Sequence, residues 1–154
     1  MNDKFMFSDA QALSTLDSTG VVSEHVWDLE NSASGVAMGQ TDFMVYGWVN
    51  FIIQSSTNTT GTNFRITLVS SSTAALTGTL EYLGGVELLI PEIITGYTGS
   101  FGVCRAHCEQ YLGVWYKSAT SLTGATGIEC WFSDSPVNSP KGFGMQKRPN
   151  SSFG

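Results

Sequence analysis

Asn63-Phe64-Arg65-Ile66-Thr67-Leu68-Val69-Ser70 is the stretch that decides the fold. Phe64, Ile66 and Leu68 fall on one parity, and Arg65, Thr67 and Val69 on the other. Successive side chains of a strand point to opposite faces, so this alternation predicts a strand with one face in a core and one half-exposed. Similar runs lie on either side. Phe43 to Ile53 is apolar on both parities and should be covered on both faces. Val21 to Leu29 is a rougher candidate. Tyr111 to Lys117 sets Leu112, Val114 and Tyr116 against Trp115 and Lys117. Gly127 to Asp134 sets Ile128, Cys130 and Phe132 against Glu129, Trp131 and Ser133. Leu76 to Leu83 and Val86 to Ile94 read as two strands with Gly84-Gly85 as a hairpin turn between them. Pro91 breaks or edges the second of these, and Gly99 to Cys108 is a weaker run. Seven or eight short strands without intervening helices predict an all-β chain: an antiparallel β-sandwich or jelly roll.

Composition agrees. The chain has 154 residues, enough for one domain with its own core. Hydrophobic residues make up 42 %, which excludes a disordered chain, while charged residues are only 13 %. Ser, Thr and Gly fill the gap, as strands and tight turns require. The three expected regions are an N-terminal arm (residues 1–20), a β-sandwich domain (21–134) and an extended C-terminal arm (135–154). Within the first arm, Ser8 and Gln11 have capping-box spacing, so at most one helical turn is expected there. The last arm carries Pro and Gly at a density that no central strand tolerates.

The net charge is −6, which argues against binding a nucleic-acid backbone. The charge is uneven: the chain up to Asp134 carries −9 and the remainder carries +3, from Lys141, Lys147 and Arg148. A basic tail on an acidic body suits either docking on an acidic partner surface or a solvated, frayed C-terminus. No apolar run approaches the ~20 residues of a spanning helix, so no membrane partner is expected. No apolar stretch follows Lys4, so no secretory signal is expected, and Cys104, Cys108 and Cys130 are expected as reduced thiols.

The search for catalytic chemistry yields little. His25 and His107 lack a nucleophile elbow or a triad partner. Cys104, His107 and Cys108 form the best metal candidate. In a strand, however, His107 points away from the two thiols, and small buried cysteines are the commoner outcome. Asn58-Thr59-Thr60 and Asn150-Ser151-Ser152 fit the glycosylation pattern but have no secretory context. No enzymatic activity, cofactor, metal or small-molecule substrate is expected. Trp27, Trp48, Trp115 and Trp131 fall in the strand runs. Trp131 is expected on an exposed face, where it could stack on a sugar or anchor a receptor. A carbohydrate- or receptor-binding module is therefore the alternative function.

Two phrases carry a resemblance. Asp3-Lys4-Phe5-Met6-Phe7-Ser8-Asp9-Ala10-Gln11-Ala12 resembles the N-terminus of a family of tailed-phage capsid cement, or decoration, proteins. Arg105 to Tyr116, ending Tyr111-Leu112-Gly113-Val114-Trp115-Tyr116, resembles that family's penultimate strand. The chain departs from the pattern in having one Arg in this region and a Pro/Gly-rich tail. The resemblance implies a jelly-roll protein bound as a homotrimer to the outer surface of an icosahedral head. There it would bridge subunits of the major capsid protein after synthesis in the host bacterial cytoplasm. The terminal arms would hold the partner contacts. Phe5, Phe7 and Phe143 would be apolar anchors, Lys141, Lys147 and Arg148 charged contacts, and Ser8, Asp9 and Gln11 further contacts from the first phrase.

Overall fold

The structure, a computed structural model, describes residues 6–13, 16–29, 45–56, 63–105, 108–120 and 126–137. Nine strands follow in order: β1 (Met6–Leu13), β2 (Val21–Val22), β3 (Trp27–Asp28), β4 (Val45–Ser56), β5 (Asn63–Ser71), β6 (Leu80–Leu89), β7 (Thr98–Arg105), β8 (Tyr111–Lys117) and β9 (Thr126–Ser133). They form two antiparallel sheets. The first has the order β1-β9-β4-β7; the second has the order β2-β8-β5-β6, with β3 also paired to β8. The chain passes repeatedly from one sheet to the other, so each sheet is assembled from segments distant in sequence. Between β6 and β7 a single 3-10 turn spans Ile90–Glu92, where Pro91 ends the strand.

The sheets face each other across one core, as the strand alternation requires. Phe7, Val49, Phe51, Ile53, Ile128 and Cys130 from the first sheet meet Phe64, Ile66, Leu68, Leu112, Val114 and Tyr116 from the second, all buried. The fold is an all-β antiparallel sandwich, and the parities of β5 and β8 are those expected.

Four local expectations are corrected. Met6–Leu13 is a strand hydrogen-bonded to β9, not a helical turn in an arm. Its apolar residues Met6, Phe7 and Leu13 are buried in the protein itself, and that burial outweighs the capping-box spacing. Val21 to Leu29 is not one strand but the two short pieces β2 and β3, both pairing with β8. Gly84-Gly85 is not a turn. It lies inside β6, which runs unbroken along β5 with one register shift at Leu68/Val69. The hairpin turn is instead the Ser72–Thr79 loop. Finally, Trp131 has the outward parity but is only 7 % exposed.

The Ser72–Thr79 loop explains another departure from simple alternation. Val69 points outward yet is buried. It pairs with Gly113, and Leu76 from the loop folds over that place. A Cβ on Gly113 would lie 2.7 Å from Leu76 Cδ1 and 3.2 Å from Val26 Cγ2, so the missing side chain makes room for a small second core.

Candidate functional site

The first phrase of the resemblance is held by a buried polar chain. β1 is irregular, with register shifts on both sides of Ser8 and a left-handed Ala10 at φ 56°. These kinks turn Ser8 inward, where it is fully buried. Its hydroxyl donates to Gln11 Oε1 at 2.6 Å. A serine hydroxyl has one proton, so in the 2.7 Å contact between Ser8 Oγ and Tyr116 the phenol must donate. Gln11 extends the chain: its Nε2 donates to the Val22 carbonyl at 3.0 Å, and its Oε1 also accepts from the Glu24 amide at 3.0 Å. The network thus ties β1 to β8, to β2 and to the segment between β2 and β3.

Burial raises the Tyr116 phenol well above its ordinary range, and the neighbouring Cys130 thiol adds to this. Burial likewise pushes Cys130 up to about 12. Both groups keep their protons at neutral pH, so the cluster is a structural clamp and not a nucleophile site.

The expected contact residues separate on this map. Phe7 is fully buried and stacks on Trp27 with ring centroids 4.6 Å apart, so it is a core residue and cannot anchor a partner in this fold. Ser8 is buried for the reason given above and is not a surface contact either. Gln11 is half-buried with both amide atoms engaged. Asp9 is exposed, and its backbone N–H donates to a Glu24 carboxylate oxygen at 3.2 Å. Phe5, Lys141, Phe143, Lys147 and Arg148 lie outside the described residues.

His25 is exposed, and its backbone N–H donates to the Phe7 carbonyl at 2.9 Å. Cys104 is exposed whereas Cys108 and Cys130 are buried, and His107 lies outside the described residues. Among the described residues no cluster of three or more His, Cys, Asp or Glu side chains could hold a metal ion. Burial, with Glu109 and Glu81 nearby, pushes the Cys108 thiol up to about 11.

The chain beyond β9 is pinned to the outer face of the first sheet. Asn50, in the middle of β4, has the outward parity but is only 1 % exposed. Its Nδ2 donates to the Ser135 carbonyl at 3.2 Å, and its Oδ1 accepts from the Val137 amide at 2.9 Å and from Ser100 Oγ at 2.6 Å. Trp131 and Ser100 are the cross-strand neighbours of Asn50. The last described residues are therefore part of the body, anchored beside Trp131.

The outer face of the second sheet carries a surface that the strand-by-strand reading did not assemble. The register places Lys117, Arg65 and Glu87 in one row and Trp115, Thr67 and Gly85 in the next. Arg65 Nε lies 3.6 Å from Glu87 Oε1, with both side chains about half exposed. The Lys117 ammonium sits 3.9 Å from the centroid of the Trp115 ring. An open depression of about 230 Å³ is lined by Arg65, Thr67, Gly85, Val86 and Glu87. The outward parities of β5 and β8 contained half of this pattern. The register that joins them did not follow from either strand alone.

No protein-family model matches the sequence. No curated protein matches it either.

Proposed function

We propose that this chain is a structural virion protein, a capsid cement protein that binds the outer surface of an icosahedral phage head. It acts as a homotrimer without enzymatic activity and bridges subunits of the major capsid protein. The observation that supports this reading is the hydrogen bond between Ser8 and Tyr116. Ser8 and Tyr116, one from each of the two phrases that resemble the cement family, are 108 residues apart and meet through this buried contact. The same residues thus carry the resemblance and clamp β1 onto the sandwich. Two four-position sheets with a chain that keeps crossing between them are also what a jelly roll requires, with β2 and β3 sharing one position. Many identical contacts on a capsid lattice gain strength by multivalency, so a small domain suffices.

The test is the mass of the purified protein by light scattering, alone and after mixing with expanded, cement-free capsids. A trimer that co-sediments with the capsids and raises their resistance to heat is expected. A lasting monomer with no affinity for capsids overturns the proposal.

A further inference from the structure

The outer face of the second sheet departs from what a merely solvated face would hold. Up to Asp134 the chain has four cationic side chains against thirteen acidic ones. Two of the four, Arg65 and Lys117, are direct cross-strand partners. Like charges placed opposite each other destabilise a sheet, so this pairing carries a cost, which the Trp115 ring beside Lys117 offsets in part. Glu87 offsets part of it from the far side of Arg65, but Asn63 Nδ2 also bonds that carboxylate, at 2.6 Å.

Beside this row the surface dips. Gly85 has no side chain to offer, and a Cβ there would lie 2.8 Å from the Ile66 carbonyl oxygen and 3.2 Å from Thr67 Cα. The close approach of β6 to β5 thus demands glycine and leaves the depression open. Two aromatic residues lie near the dip on the same face. Trp115 lies on the same row across Thr67, and exposed Tyr82 lies one row further along β6. In the next row Leu76 lies over Gly113, the partner of Val69. The indole Nε1 of Trp115 is buried and has no hydrogen-bond partner among the described residues.

We propose that this face binds an anionic sugar, a pyranose ring bearing a carboxylate. Sugar C–H faces suit aromatic rings set beside a shallow floor, and sugar hydroxyls suit Thr67 and Glu87. The carboxylate suits the Arg65–Lys117 pair. Lys117, drawn from the Trp115 ring to the ligand carboxylate, uncovers the indole face. The acidity of the rest of the molecule is no bar at contact range, because charges beyond about 8 Å are largely screened at physiological salt.

The experiment uses the full chain, free in solution, so its outcome is independent of whether the protein binds capsids. Oligogalacturonate is titrated into labelled protein, with NMR shifts and calorimetry as readouts. The shifts are expected at the Thr67, Gly85 and Val86 amides and at the Trp115 indole N–H. A neutral galacto-oligosaccharide of equal length should bind about tenfold more weakly, and so should the uronate to Arg65→Gln or Lys117→Gln. Both substitutions fall on partly exposed side chains, and unchanged amide spectra elsewhere would verify the fold. No binding of the uronate by the folded wild-type protein overturns the proposal. So does equal affinity for poly-glutamate, which would make the face a charge patch for acidic peptides, and so does binding that neither substitution weakens.

Discussion

The Ser8–Tyr116 contact makes a double-mutant prediction whose size follows from the direction of its protons. Tyr116 donates to Ser8, and Ser8 donates to Gln11. Removing the acceptor in Ser8→Ala leaves a fully buried phenol O–H with only the weakly accepting Cys130 thiol beside it and takes one donated bond from Gln11 Oε1. An unsatisfied buried polar group costs about 1–3 kcal/mol, so about 2 kcal/mol is expected. Removing the donor in Tyr116→Phe leaves Ser8 still bonded to Gln11 and should cost nearer 1 kcal/mol, the net value of one hydrogen bond. With both changes, neither partner is left to miss the other. The double variant should cost about 2 kcal/mol, less than the sum of the singles by about 1 kcal/mol. Urea unfolding followed by tryptophan fluorescence at pH 7 measures all four corners. Costs that add to within about 0.3 kcal/mol would show that the two groups act independently and would refute the clamp.

Three further results are expected. Cys130 holds its proton up to about 12 in the folded protein against an ordinary 9.0, and Tyr116 is raised in the same sense. The folded state therefore binds more protons than the unfolded chain between those values. Stability is full below pH 9 and falls as pH rises toward 12, which a series of urea midpoints will show; a flat profile to pH 11 would contradict it. A thiol-reactive dye at pH 8 should label Cys104 alone in the native protein and all three cysteines in denaturant, because only Cys104 is exposed. Asn50→Ala removes the side chain that holds the Ser135 carbonyl and the Val137 amide. Hydrogen exchange at Val137 should accelerate, with a loss of about 1–3 kcal/mol in stability, whereas unchanged exchange would mean that Ser100 alone suffices.

The sequence makes the sandwich legible because each sheet has one dry face, and that imposes a period of two on β5, β8 and β9. It fails where burial comes from outside the pleat. Val69 and Trp131 have outward parity, yet each is buried. The cover over Val69 is Leu76, from a loop whose composition looks exposed. Gly84-Gly85 misleads for a related reason. Two glycines are the usual mark of a turn, but here Gly85 answers a close strand approach that only the register reveals. The candidate surfaces share this limit. Arg65 and Trp115 are 50 positions apart in the chain, and only strand pairing sets them in adjacent rows. The N-terminal phrase is the opposite case. Its residues were legible as a unit, but their role was not, because Ser8 works through Tyr116 from across the fold.

These placements decide how the cement reading can be tested by truncation. Deleting residues 1–13 removes Phe7 and Leu13, both in the core. Losing two such side chains costs about 5–10 kcal/mol, comparable with the whole stability of a domain, so lost binding would report only lost folding. Deleting residues 135–154 removes two of the three partners of Asn50, Ser135 and Val137, and uncovers a buried amide. A cut after Val137 avoids both faults. Residues 138–154 contain Lys141, Lys147 and Arg148 and no acidic residue, so their removal takes +3 from the chain and leaves every described strand in place. The shortened protein should unfold at the same urea concentration as the full chain and co-sediment with capsids more weakly. The difference should shrink as salt is raised, since the lost contacts are charged. Equal occupancy of capsids at low salt would remove the basic tail from the contact and leave the sandwich surface to carry it.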